Sequence, residues 1–196
     1  MGDLEIRTPD GRVWAEAAPP LVVLDPGHGG SDPGAIGATG LEEKVVNLEV
    51  ARYCRAILAQ SGVRVVLTRE EDIGVSLWRR VQQAGELGAD VLVSIHSNAY
   101  RSPAAHGTET YAYYGSQAGH QLATDIQQRL CRALRRRNRG VKQAGFYVIR
   151  EAPMVSALVE LAFLSNLEEE ALLRSDWARQ RAAAGVAIGI LTYLER

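Results

Sequence analysis

Apolar runs and helical periodicities alternate along the chain. Leu21-Val22-Val23-Leu24 is uninterrupted and stops at Asp25-Pro26-Gly27, which predicts a strand buried on both faces. A glycine-rich loop spans 27–40. Val46, Val50, Tyr53, Ile57 and Leu58 then recur at helical spacing over 42–60, closed by Gly62. Residues 63–68 read as a second strand, and 75–87 as a helix ending near Gly88. The buried run 91–95 predicts a third strand that delivers His96 at its C-terminal end. Alternation over 108–113 predicts another strand, followed by a long amphipathic helix over 116–136. Two short apolar runs, 147–149 and 157–159, read as strands, and the Ala-rich stretch 176–194 as a closing helix capped by Ser175 or Asp176. Strands alternating with helices imply an α/β fold, with a mostly parallel sheet of about six strands covered on both faces in three α/β/α layers. Residues 1–20, ending in Ala-Ala-Pro-Pro, lack periodicity and are expected to be an arm or linker remnant; 21–196 form the single domain.

Composition narrows the class only a little. With 46% hydrophobic and 23% charged residues in 196, and a net charge of -1, the chain is an ordinary globular protein with no overall bias toward nucleic acid. The basic run Arg135-Arg136-Arg137-Asn138-Arg139 is expected to be a solvated helix end. The alternative is a contact for anionic wall polymer or a membrane surface. Cys54 and Cys131 sit in helical patterns and read as small buried hydrophobes rather than a disulfide or a zinc knuckle. No apolar run is long enough to span a bilayer, and no signal-peptide pattern opens the chain.

In open α/β sheets functional groups gather beyond the carboxyl ends of the strands. Here three strand ends carry ionisable residues: Asp25-Pro26-Gly27-His28, Ser94-Ile95-His96-Ser97-Asn98, and the run leading into Glu160. The helix opening at Glu42-Glu43-Lys44 could bring a carboxylate beside His28. Two imidazoles and a carboxylate suit a catalytic zinc, and a second carboxylate, Glu160, could handle the proton of an activated water. The alternative at this level is histidines that are structural or merely exposed. No H-E-x-x-H, P-loop or dinucleotide fingerprint is present, so the residues alone lead no further than a candidate metal-dependent hydrolase.

Four segments carry a resemblance that goes beyond this. Leu24-Asp25-Pro26-Gly27-His28-Gly29-Gly30 with Asp32-Pro33-Gly34-Ala35, then Glu43-Lys44 with Asn47-Leu48, then Ser94-Ile95-His96-Ser97-Asn98-Ala99, and finally Val159-Glu160-Leu161-Ala162-Phe163-Leu164-Ser165-Asn166 resemble, in order, the zinc-dependent N-acetylmuramoyl-L-alanine amidases. That family includes cell-separation and sporulation amidases and some phage endolysins. The resemblance implies hydrolysis of the amide between N-acetylmuramic acid and L-alanine of peptidoglycan. It implies one Zn2+ held by His28, Glu43 and His96, with Glu42 as the alternative to Glu43, and Glu160 as general base and then general acid. Asn98 is a candidate to orient substrate or a ligand, with a turn cap as the equal alternative. Asp25 is expected to fix the loop through nearby amides. His106 is a candidate rim contact, and His120 is expected to be an ordinary helix residue.

Some relatives cover the zinc with a long helical insertion; the stretch 99–108 is too short for one, which implies an open, constitutively active site. With no wall-binding repeat in the sequence, a wall-targeting or activator partner is expected, and the protein is expected to be a monomer acting in the periplasm or the cell wall. A phage endolysin made in the cytoplasm is the alternative. Rival functions are a zinc carboxypeptidase and a catalytically dead wall-binding module.

Overall fold

The computed structural model describes residues 18–196, so most of the expected 1–20 arm lies outside the described residues. The elements follow in the order β1 (Leu21–Pro26), α1 (Glu43–Gln60), β2 (Arg64–Leu67), α2 (Leu77–Glu86), β3 (Val91–Asn98), β4 (Thr108–Ala112), α3 (Gln117–Leu134), β5 (Asn138–Gln143), α4 (Tyr147–Arg150), β6 (Val155–Phe163), α5 (Leu167–Arg174) and α6 (Asp176–Leu194). They build one six-stranded sheet in the order β2-β1-β3-β6-β4-β5. The pairs β1–β2, β1–β3, β3–β6 and β4–β5 are parallel, whereas β4 runs antiparallel to β6. The expected three-layer, mostly parallel α/β architecture is the one observed.

Because both faces are covered, the central strands are mostly apolar before their carboxyl ends. Val22, Leu24, Val93, Ile95, Ala157 and Val159 belong to one core with residues of α1, α3 and α6, among them Val46, Leu122 and Ile190. Leu21, Val23 and Leu92 pack with Ala84 of α2, and Leu158 packs with Val148 and Ile149 of α4. Helices α3 and α6 approach to backbone contact: a Cβ on Gly189 would lie 2.4 Å from the Ile126 Cα. Only glycine fits there.

Three assignments differ from the sequence pattern. Residues 147–149 form the single helical turn α4 rather than a strand, a type that a three-residue apolar run does not specify. The missing strand is β5, which emerges from the basic run: the preceding helix ends at Leu134, Arg135 turns in the left-handed region (φ 54°), and Asn138 and Arg139 open the strand. As an edge strand rich in polar residues, β5 has no apolar signature. Helix α5 was not anticipated; Asn166 caps it by accepting from the Glu168 and Glu169 amides.

Candidate metal centre

The loop after β1 is shaped so that His28 reaches back over the sheet end. His28 itself has φ 61° and the two glycines after it also have positive φ, which releases a tight reversal. A Cβ on Gly27 would lie 2.2 Å from the His96 ring, so the loop backbone lies directly against the second histidine. A loop with so few side chains leaves carbonyls turned inward, and two buried arginines satisfy them. Arg69 donates to the Pro26 and Gly27 carbonyls and to Lys44 O; Arg80 donates to Pro26 O and His28 O. Arg80 is in turn paired with Asp25 at 2.6 Å, and Thr68 and Ser94 hydroxyls also donate to that carboxylate at 2.6 Å. Burial alone would raise the Asp25 pKa, but the Arg80 charge and the two hydroxyls outweigh it and hold it below the ordinary value. Asp25 thus fixes the loop through an arginine rather than through neighbouring amides.

Glu43 is the first residue of α1, where a carboxylate suits the helix dipole. Its Oε1 lies 2.9 Å from His96 Nδ1 and accepts from the Ser97 amide and Asn47 Nδ2; its Oε2 lies 3.2 Å from His28 Nε2 and accepts from the Ala35 amide. Burial raises its pKa, yet the two histidines and the amide hold the group far below the ordinary range. One donor atom from each of His28, Glu43 and His96 falls within 4.8 Å of the others, and the rings meet edge to face at 5.0 Å between centroids. Glu42 stays outside this set, half exposed at 40% and 3.4 Å from Lys44 Nζ. Two imidazoles and an anchored carboxylate suit a zinc-like cation, and a cavity of about 360 Å³ opens over both histidines. Asp32, part of the resembling first segment but given no role there, completes the arrangement: its Oδ2 lies 2.8 Å from His28 Nδ1, the kind of contact that orients a metal-binding imidazole.

Glu160 sits directly beside His96 in the β3–β6 register, and Glu109 pairs with it from β4. The strand continues three residues past Glu160 to Phe163. Glu160 Oε2 is buried with no hydrogen-bond partner among the described residues. Burial, reinforced by the negative charges of Glu43 and Glu109, holds this carboxyl well above the ordinary carboxylate range. Asn98 is not among the clustered candidate ligands and donates to Glu109 Oε1 at 2.8 Å. His106 is exposed and contacts the Ala104 carbonyl, and His120 is exposed on α3. Cys54 is buried and Cys131 half-buried; both are free thiols.

The sequence pattern missed Arg69, Arg80, Glu109 and the two buried glutamates of α5, Glu169 and Glu170. Arg69 lies two residues past the end of β2, so the strand-end rule that singled out His28, His96 and Glu160 also covered it. Glu169 is fully buried and accepts from the Gly107 and Phe163 amides, tying the 99–107 connection to the end of β6. The Tyr100 amide on Ser165 Oγ and Asn166 Nδ2 on Pro103 O add to that tie.

The sequence profile described as N-acetylmuramoyl-L-alanine amidase matches residues 22–192. The chain is 41% identical over 174 residues to the N-acetylmuramoyl-L-alanine amidase LytC of Bacillus subtilis, covering 88% of this chain but only 35% of LytC. The solved catalytic domain of CwlV, an N-acetylmuramoyl-L-alanine amidase from Bacillus (Paenibacillus) polymyxa, is 40% identical, with a TM-score of 0.86 over 90% of this chain and 98% of that one. AmiC2 of Nostoc punctiforme, likewise an N-acetylmuramoyl-L-alanine amidase, is 41% identical with a TM-score of 0.87 over 90% and 98% of the two chains. With the profile and both solved structures spanning nearly all of the described fold, the chain belongs to the N-acetylmuramoyl-L-alanine amidase family of enzymes.

Proposed function

We propose that this protein hydrolyses the amide joining N-acetylmuramic acid to the L-alanine of the peptidoglycan stem, with a zinc ion held by His28, Glu43 and His96 and with Glu160 as the proton-transferring group. The reading rests on one observation: a cluster of two imidazoles and a carboxylate within 4.8 Å, with a glutamate that has a buried, unpartnered oxygen beside it in strand register. When bound, zinc supplies Lewis acidity toward the scissile carbonyl and lowers the pKa of water to about 7 in favourable sites. Glu160 takes the proton of the attacking water and delivers it to the departing alanine amine. Asp32 keeps the His28 ring in place while Arg69 and Arg80 hold the loop beneath it. No helix lies between β3 and β4 among the described residues, which supports a reading in which activity needs no release step. Its place of work is the cell wall, outside the cytoplasmic membrane.

The test is hydrolysis of purified sacculi by the zinc-loaded and the chelated protein. Stem peptides with new alanine amino termini, released by the zinc form alone, are expected; glycan cleavage, released C-terminal amino acids or full activity after chelation would refute the assignment.

Metal uptake should also depend on pH. In the metal-free arrangement the hydrogen bond to Glu43, against the opposing effect of burial, raises the His28 pKa to about 9. Below that value the imidazole carries a proton that a metal must displace, so binding releases one proton and affinity weakens about tenfold per unit of falling pH. Calorimetric titrations in buffers of different ionisation enthalpy measure that proton count. An affinity flat across the neutral range would show that the His28 imidazole is already neutral there, and would overturn the raised pKa while leaving its ligand role to the metal-content test.

A further inference from the structure

The row of acidic side chains on the sheet ends in a built cationic pair that the proposed reaction has not used. Glu109 is 3% exposed, and four groups converge on it. Asn98 Nδ2 and Tyr111 Oη donate to its Oε1 at 2.8 and 2.6 Å; Arg139 Nε and Lys142 Nζ donate to its Oε2 at 2.5 Å each. Burial works against ionisation, but Lys142, Tyr111 and Arg139 outweigh it and bring the Glu109 pKa down to about 2.

One carboxylate is therefore matched by two cations within ion-pair distance, and no second acidic group lies that close to either among the described residues, although the Lys142 charge also acts on Glu160 at longer range. The cations are also the outer members of the cluster: the Arg139 and Lys142 side chains are 27% and 38% exposed over the buried Glu109. Their head groups are fixed from a second side. The Arg139 guanidinium lies 4.8 Å from the Phe163 ring centroid and Lys142 Nζ 5.7 Å from that of Tyr111. Two held cations with spare donors form a pre-organised anion site, since little ordering entropy is lost when a carboxylate arrives.

Its place relative to Glu160 sets what it can bind. Glu160 is on β6, Glu109 is opposite it on β4, and Lys142 lies on the adjacent β5 in register with Tyr111. At about 4.8 Å between strands, the cations lie within about 10 Å of the Glu160 column. An extended peptide advances about 3.5 Å per residue, so a span of up to about 10 Å covers the first one to three residues past the scissile bond. We infer that Lys142 and Arg139 form a subsite for a free carboxylate on the stem peptide just beyond the alanine, with Glu109 and Asn98 positioning the two cations.

This inference presupposes the amidase reaction above, and the experiment separates the two. Matched muramoyl peptides would carry either a free carboxylate or its primary amide on the residue after alanine. The wild-type zinc enzyme should cleave both and favour the carboxylate about tenfold or more in kcat/KM, mainly through KM, as a charge-assisted contact requires. Lys142→Met should bring that ratio close to one, and Lys142→Arg should restore it. With the wild type alone, added salt should raise KM for the carboxylate substrate and leave the amide substrate unaffected, a readout that does not depend on a variant folding. Equal rates on the two substrates, or a preference that survives both Lys142→Met and high salt, would overturn the subsite while leaving the amidase reading intact. Cleavage of neither substrate would instead overturn the amidase reading, and the subsite with it.

Discussion

Replacing Glu160 with glutamine is expected to lower kcat on purified sacculi by roughly two to four orders of magnitude, the usual contribution of a positioned acid–base group, while one zinc ion per chain is retained. The retained metal matters because Glu160 lies beside His96 without belonging to the His28, Glu43 and His96 set. A second consequence separates a functional carboxylate from a structural one. Glu160 has a buried oxygen without a partner, and burial together with Glu43 and Glu109 pushes its pKa well above the ordinary range. A carboxyl whose folded pKa is raised favours the folded state fully only below its unfolded pKa, and that contribution is lost as pH rises. At neutral pH the metal-free Glu160→Gln protein should therefore melt at or above the wild-type temperature. Loss of activity with unchanged zinc content and no loss of stability identifies a residue kept for chemistry. An active Glu160→Gln enzyme would end the assignment.

The second large effect concerns stability. Arg80→Met should cost about 3–5 kcal/mol in chemical denaturation, because it strands the Asp25 carboxylate in the interior. That is a large share of the roughly 5–15 kcal/mol that separates folded from unfolded protein. Asp25 is 1% exposed, and Arg80 is the only cation within ion-pair distance of it among the described residues. The same substitution removes the donors to the Pro26 and His28 carbonyls, so zinc affinity should fall as well. The double variant Asp25→Asn with Arg80→Met should recover part of the loss, since the charge left behind is then removed. A cost below about 1 kcal/mol, the range of an exposed ion pair, would show that the pair is not as sealed as its burial indicates. The sign with pH is set by the depressed Asp25 pKa: the pair stabilises the fold above the unfolded value and that contribution fades on acidification.

How much of this was legible in the sequence depended on whether a residue's role was local. Strands β1 and β3 were plain because burial on both faces makes them continuously apolar, and their ends delivered His28 and His96. Glu43 and Glu160 were placed by the family resemblance more than by spacing. Arg80 carries no such signal; inside a helix of polar residues it reads as solvated, and its partner Asp25 is 55 positions away. Glu109 sits in Thr108-Glu109-Thr110-Tyr111, where alternation suggests a wet face, while the cations that bury it come from 30 and 33 residues later. Strand β5 hid inside a basic run for the same reason: its side chains answer to Glu109 and to the sheet edge, not to a core. Buried polar networks are written across the chain, and periodicity reports only on neighbours.

The reversed direction of β4 has a consequence for how such a fold can change over evolutionary time. Because β4 runs against β6, the link from Asn98 to Thr108 begins and finishes at the same rim, crossing the end of the strand that carries Glu160. Doubling such a link costs only about 0.6 kcal/mol of closure entropy, and neither strand need shift register to accept it. A longer link at this junction would therefore leave the hydrophobic layers as they are. The length of this link is separable from the fold, and the short link of this chain is one setting of a dimension that the architecture leaves open.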